Sequence, residues 1–153
     1  MLSVWRITTA AFGPSALSGE GARLYGGRWN PKGVPLVYMA ANQSLAILEM
    51  LVQDQPLRAR YMMIEVRIPS AVTIDRLRVA DLPAAWRDIG ARGTLQAIGA
   101  EWTRKRTAAV LAVPSAIVPA ESNYLLSPLH PDFKRIKVGK PNTVETDLRL
   151  IKP

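Results

Sequence analysis

Residues 42–54, NQSLAILEMLVQD, leave this chain few choices. From Leu45 to Val52 every position but Glu49 is apolar. The run is too long and too unbranched for a strand, and Asn42 or Ser44 can cap it, so it predicts a helix. A helix apolar on nearly every face is a buried one. A chain of 153 residues can supply that cover, because a domain of this size buries roughly two-thirds of its unfolded surface without a disulfide or metal staple. Burial also makes Glu49 costly unless it is paired or hydrogen-bonded. Either Glu49 lies on the helix's one wet stripe, or it faces a cleft and meets a cation there.

The segments around this helix are mixed and do not repeat. SVWRIT (3–8) predicts a short strand, residues 11–33 a long glycine-rich loop, and VPLVYMAA (34–41) a second strand with a proline tolerated near its start. Alternation in that strand places Val37 and Met39 on one face and Tyr38 on the other. ARYMMIEVRIP (59–69) alternates well enough for a strand, and AVTID (71–75) can extend the sheet. Residues 81–93 and 94–106 both predict helix, the second ending in Arg104-Lys105-Arg106, cations suited to a helix C-terminus. AAVLAVPSAIVP (108–119) reads as a buried strand broken at Pro114, and ESNYLLSP, FKRIKV and ETDLRLI as a strand-rich end. Grouped helices and strands without a βαβ rhythm indicate an α+β fold with a mixed or antiparallel sheet. No linker or low-complexity stretch interrupts the chain, so residues 1–153 are expected to form a single domain.

The loop feeding the second strand, YGGRWNPKG (25–33), holds three glycines, a proline and an asparagine, yet also Arg28 and Trp29. A plain surface turn would do better without either. Arg28, Tyr38 and Glu49 thus come from a loop, the strand it feeds and the helix that follows, an arrangement that can converge on one pocket.

Much else is excluded. Without cysteine there are no disulfides, thiolate nucleophiles or Cys-type zinc sites, which suits a cytoplasmic protein. The N-terminus lacks a signal-peptide pattern, and no apolar run approaches membrane-spanning length. The net charge of +8 would allow a nucleic-acid partner, but apart from residues 104–106 and 134–137 the basic residues are scattered, as on a solvated face. RNA cleavage is disfavoured by a single histidine, His130, lodged between prolines, and by the lack of an aromatic-plus-basic stripe. No Walker loop or dinucleotide fingerprint occurs, and no cluster of carboxylates or histidines calls for a metal.

Three motifs carry a resemblance: WRI near the start, GGRWNPKGVPLVYMAANQSLAILEML, and VPSAIVPAESNYLLSPLHPDF. Together they resemble the RES domain, named for its arginine, glutamate and serine, over about Trp5 to Phe133. The resemblance implies a fold similar to ADP-ribosyltransferases such as diphtheria toxin, with a mixed sheet and flanking helices. It implies a toxin of a type II toxin–antitoxin pair, held in a hetero-oligomer by an antitoxin with an Xre-type helix-turn-helix, and no direct nucleic-acid contact of its own. It also implies NAD as substrate, with no metal, consumed by glycohydrolysis or phosphorolysis or by transfer of ADP-ribose to a protein.

Carried onto this sequence, the family arginine falls on Arg28, the glutamate on Glu49 and the serine on Ser115 in VPSA, with Ser122 in ESNY as a second candidate. Tyr38 matches a family tyrosine and Arg6 an arginine lining the pocket. Met39 and Ser127 depart from the family's threonine and asparagine. These roles agree with the chemistry of NAD. A guanidinium matches a diphosphate through bidentate hydrogen bonds, and glycines let backbone approach a ligand. Cleavage of the nicotinamide–ribose bond develops oxocarbenium character that a carboxylate on Glu49 would stabilise. Tyr38 could stack on nicotinamide or ribose, and Ser115 could orient the nicotinamide amide or support Glu49.

Overall fold

The computed structural model describes residues 1–10, 15–53 and 60–150. Its helices are α1 (Glu20–Tyr25), α2 (Gln43–Gln53) and α3 (Arg92–Lys105). β1 (Leu2–Thr9) runs antiparallel to β3 (Tyr61–Ile68) along its whole length, from Leu2 opposite Ile68 to Thr9 opposite Tyr61. With β2 (Val37–Ala40) it shares one register pair, Trp5 opposite Ala40. Beyond β2 lie β6 (Ser122–Leu126) and β5 (Val110–Pro114), both antiparallel, and then β4 (Ile74–Arg76), parallel to β5 at the edge. β7 (Lys137–Val138) and β8 (Asn142–Val144) pair with β3 at the other end. The fold is α+β on a mixed sheet.

The sheet has two halves joined at a narrow seam. Val4, Ile64 and Val66 of one half share a core with Val37, Val110 and Leu126 of the other, so the sheet curls and this face closes on itself. On the opposite face of β5 and β6, Leu95 and Trp102 of α3 pack with Trp29 against Leu111, Val113 and Leu125. β5 is therefore covered on both sides, and residues 108–115 are buried without a break, as a continuous apolar run requires. α2 covers the seam, with Leu45 and Ala46 against Ala40 and Met63. Asn42 Oδ1 accepts from Leu45 N at 2.8 Å, so Asn42 is the residue that caps it.

Five expectations from the sequence need correction, the first being FKRIKV, in which Phe133 to Arg135 belong to a 3-10 turn and only Lys137–Val138 is strand. The stretch 11–33 is not all loop, since α1 lies within it; this helix buries none of its residues and so leaves no apolar stripe to read. Residues 81–93 are not one helix: 81–91 form turns and short 3-10 pieces, because Pro83 interrupts them and Trp86 alone is buried, and α3 starts only at Arg92. ETDLRLI is not a strand over its described part. Asp147 Oδ1 accepts from Arg149 N at 2.8 Å, a local bond that competes with strand pairing, and the strand forms earlier as β8. Finally, α2 is not buried all round: Leu45, Ala46 and Met50 are, while Leu48 is 40% and Val52 67% exposed.

Candidate functional site

The site begins at the seam. Past Trp5, β1 and β2 share no further register pair, which leaves the Tyr38 carbonyl without a strand partner, and the Arg6 side chain supplies one, its Nη1 donating at 2.9 Å. Burial pulls the Arg6 guanidinium below its ordinary value, and no acidic side chain pairs with it among the described residues. The opening holds a cleft with two lobes. One, of about 260 Å³, is walled largely by apolar side chains, among them Trp5, Met39 and Met50. The other, of about 350 Å³, is walled by Gly19, Gly26, Gly27, Arg28 and Trp29. Arg6, Tyr38, Glu49, Gln53 and Asn123 line both and so mark the junction.

Glu49 reaches this junction from the half-exposed side of α2. Its Oε1 accepts from Ser115 Oγ at 2.9 Å and from Asn123 Nδ2 at 2.7 Å. Its Oε2 has no protein partner among the described residues. Glu49 meets no cation within ion-pair distance among the described residues; two neutral donors hold it. Ser115 is fixed in turn, its Oγ accepting from the amides of Ile117 and Val118, both at 3.1 Å, where β5 ends. It is fully buried and does not line either lobe, so its contacts are those of a support for Glu49. Ser122 stands apart, and among the described residues its hydroxyl takes only a long 3.4 Å bond from Arg76.

Arg28 is presented differently. Gly27-Arg28-Trp29-Asn30 is a tight turn in which Gly27 N donates to Asn30 O at 2.9 Å. Trp29 points inward at 2% exposure and anchors the turn in the core beside α3. Arg28 lines the glycine-walled lobe, and its guanidinium makes no hydrogen bond or ion pair with the described residues. The backbone beneath it is held at several points. Asn30 is fully buried, and its Nδ2 donates to the carbonyls of Ala22, Pro31 and Val34. The Tyr38 hydroxyl donates to Asn30 Oδ1 and accepts from Trp29 N, and Gln96 Nε2 donates to Gly27 O at 2.9 Å. A Cβ on Gly27 would sit 2.5 Å from the Tyr38 hydroxyl, and one on Gly99 of α3 only 1.7 Å from the Trp29 carbonyl, so neither position admits a side chain. Burial raises Tyr38 to about 12, outweighing the Trp29 amide, Arg92 and Arg28, which act the other way. The phenol is therefore neutral at physiological pH and available as a hydrogen-bonding post.

Arg6, Arg28, Tyr38 and Glu49 thus share one cleft, with Ser115 directly behind the carboxylate. Three members of the site were not singled out from sequence: Asn30, Gln53 and Asn123. Asn30 passed as an ordinary turn residue, although asparagine fully buried in a turn is unusual; Asn123 lies in an edge-of-strand context that gives no periodic signal. His130 is occupied elsewhere. Its Nδ1 accepts from Asp132 N at 3.0 Å and its Nε2 faces Arg106 O at 3.1 Å, so both ring nitrogens serve a structural turn.

The sequence that builds this fold and cleft has counterparts among known proteins. The RES domain family matches residues 3–149, and the chain belongs to that family. It is 39% identical to a protein named Prs ADP-ribosylating toxin from Sphingobium sp. (strain YBL2), over 98% of this chain and 97% of that protein. It is 40% identical to a protein named Toxin Res from Photorhabdus laumondii, over 97% of both, and 38% identical to a Toxin Res of Yersinia enterocolitica, over 87% of this chain and 88% of that one. No helix among the described residues is long and apolar enough to cross a membrane.

Proposed function

We propose that the protein is a toxin that cleaves the nicotinamide–ribose bond of NAD. The observation that carries this reading is the Glu49 carboxylate at the junction of two lobes, one oxygen immobilised by Ser115 and Asn123, the other without a partner among the described residues. In the reaction the bond between the ribose anomeric carbon and the ring nitrogen breaks, and its electron pair leaves with nicotinamide, which becomes neutral. The sugar is left with oxocarbenium character, and Glu49 offers a fixed negative charge to it. Arg28, which lines the glycine-walled lobe and pairs with no described residue, clamps the diphosphate, while Tyr38 and Arg6 shape the junction. A nucleophile then adds to the anomeric carbon and gives up its proton. With water it yields ADP-ribose, with phosphate the ribosyl phosphate, and with a protein side chain the modified protein.

Transfer to a protein is the second reading, favoured by the name of the Sphingobium relative. The test is to incubate the purified protein with NAD, and separately with RNA, and follow nicotinamide release and RNA chain length. Nicotinamide release with intact RNA is expected; cleaved RNA and untouched NAD would reverse the assignment. Mass analysis of the ADP-ribose product in water, with phosphate and with candidate acceptor proteins separates the two readings.

Such an enzyme would deplete the NAD of its own cytoplasm, so it needs an inhibitor. We assign that role to a helix-turn-helix antitoxin whose acidic or carboxylate-bearing segment lies where the diphosphate would, drawn by the unpaired Arg28 and Arg6. The complex should be silent and fail to bind NAD, and truncating that segment should restore cleavage. A complex that turns over NAD as fast as the free protein would refute this arrangement.

A further inference from the structure

Two basic runs, residues 104–106 and 134–137, stand apart from the scattered charge of the sequence, and the cleft uses neither. The fold brings them together. The first ends α3, and the second begins in the 3-10 turn Pro131–Arg135. His130 ties the two. Asp132 N donates to its Nδ1 at 3.0 Å, so the ring proton sits on Nε2 and is donated to Arg106 O at 3.1 Å. Lys134 stands four residues along the turn from His130, about 8 Å of 3-10 rise.

Helix chemistry accounts for part of this charge. Arg104 and Lys105 sit in the last turn of α3, where cations answer the exposed carbonyls. Arg106 lies beyond that turn at φ 54, the one non-glycine residue with positive φ among the described residues. Glycine is what such a position ordinarily selects, so the arginine is kept against the local backbone preference. Nearby acids are already engaged. Glu101 pairs with Arg104 at 2.6 Å and Asp132 with Arg135 at 3.6 Å, while Asp75 accepts from Trp102 Nε1 and Thr107 Oγ1. Lys105, Arg106 and Lys134 remain exposed, with no ion pair among the described residues.

Like charges gathered by the fold repel one another and attract a polyanion. We propose that this surface docks the phosphate backbone of duplex DNA through Lys105, Arg106 and Lys134, with Arg104 and Arg135 beside them. The surroundings select that partner. Trp102 is 8% exposed and Phe133 packs against the core, so no exposed aromatic offers to stack an unpaired base. Leu129 is the one large apolar side chain exposed within residues 101–107 and 127–135, too little for the apolar centre of a protein interface. The spacing of the two runs is comparable with a DNA groove, about 6–12 Å wide, so they can meet phosphates on both of its sides. Such contacts read backbone and not sequence. The surface is separate from the NAD site, since Arg106 precedes β5 and Ser115 follows it. It departs from the expectation that the chain makes no nucleic-acid contact of its own.

The experiment follows binding of the full chain to a short DNA duplex of arbitrary sequence, to a single strand of equal length and to a polyglutamate peptide, across a range of salt. Log affinity for the duplex should fall against log salt with a slope of about −2.7 if the three unpaired cations engage, and about −4.5 if all five do. Arg106→Gly suits the left-handed backbone, so its melting temperature should not fall. It should reduce the slope by about 0.9 and weaken duplex binding at least about tenfold at ~20 mM salt. Lys134→Gln, on the other run, should reproduce that loss. Arg60→Gln removes the same charge from an exposed site next to Tyr61 of the apolar lobe, and should cost less than about threefold. Nicotinamide release by Arg106→Gly should match wild type. Equal losses in the Arg60 and Arg106 variants would mean that binding follows net charge alone, and would overturn the proposal. So would a single strand bound as tightly as the duplex, or Arg106-dependent capture of polyglutamate without capture of the duplex.

Discussion

Two charged groups of the cleft, Glu49 and Arg28, are held in opposite ways. Glu49 is held by its carboxylate: Ser115 and Asn123 both donate to Oε1, while α2 carries it with an exposed outer face. Arg28 is held by its backbone: Asn30, Tyr38, Gln96 and the Gly99 contact lock the turn, and the guanidinium itself makes no hydrogen bond or ion pair with a described residue. The difference suits the tasks proposed for them. A carboxylate that must meet charge appearing at one sugar carbon gains from being set in place before the reaction, because no reorganisation is then needed. A cation that clamps a flexible diphosphate gains from a fixed base and a free fork, which can close on the ligand in bidentate geometry.

The sharpest way to break this comparison is Glu49→Gln. The amide oxygen can take the place of Oε1 and accept from both Ser115 and Asn123, so the fold and the binding of NAD should persist. The charge is lost, however, and kcat should fall at least about a hundredfold to a thousandfold, the usual effect of removing a preorganised electrostatic group. Turnover within about threefold of wild type, a barrier change under ~1 kcal/mol, would take Glu49 out of the chemistry.

Arg28→Lys probes the other member. Lysine keeps the charge and loses the fork, so KM for NAD should rise about tenfold, the equivalent of ~1.4 kcal/mol, with kcat little changed. The steady-state split between KM and kcat is the readout. A fall in kcat with KM unmoved would show that Arg28, like Glu49, acts mainly on the transition state.

The same contrast governs what could be read from sequence. Arg28 and Glu49 were legible because each breaks a local rule, an arginine in a glycine turn and a lone charge in an apolar helix, whereas Tyr38 was placed by strand alternation. The residues that hold them were harder. Asn123 meets Glu49 across 74 positions of chain and Gln96 meets Gly27 across 69, and no local pattern announces such bonds. Asn30 looked like turn punctuation, when its side chain in fact satisfies three carbonyls. In the fold, β5 was plain from its unbroken apolar run, whereas α1 and residues 81–93 were misread because little of either is buried and periodicity records only burial.

Tyr38 offers the finest test, because it pins the Arg28 turn and does not touch Glu49's oxygens. Tyr38→Phe leaves Trp29 N and the buried Asn30 Oδ1 without their partner, which should cost about 1–3 kcal/mol of stability at neutral pH. If the two modes of holding are separate, the variant should raise KM by a few-fold and leave kcat nearly alone. The pH dependence adds an independent check. Burial raises Tyr38 from 10.0 to about 12, so the folded protein keeps the phenol proton more tightly than the unfolded chain does. The stabilisation is complete below pH 10 and is lost as pH climbs from there towards 12, because the unfolded state ionises first. Two units correspond to at most about 2.7 kcal/mol. Chemical denaturation of wild type and variant across that window should show wild type losing stability more steeply, since the other lysines and tyrosines titrate alike in both. Parallel curves would mean that the phenol is not buried as a neutral post, and the turn beneath Arg28 would then owe its position to Asn30, Gln96 and Gly99 alone.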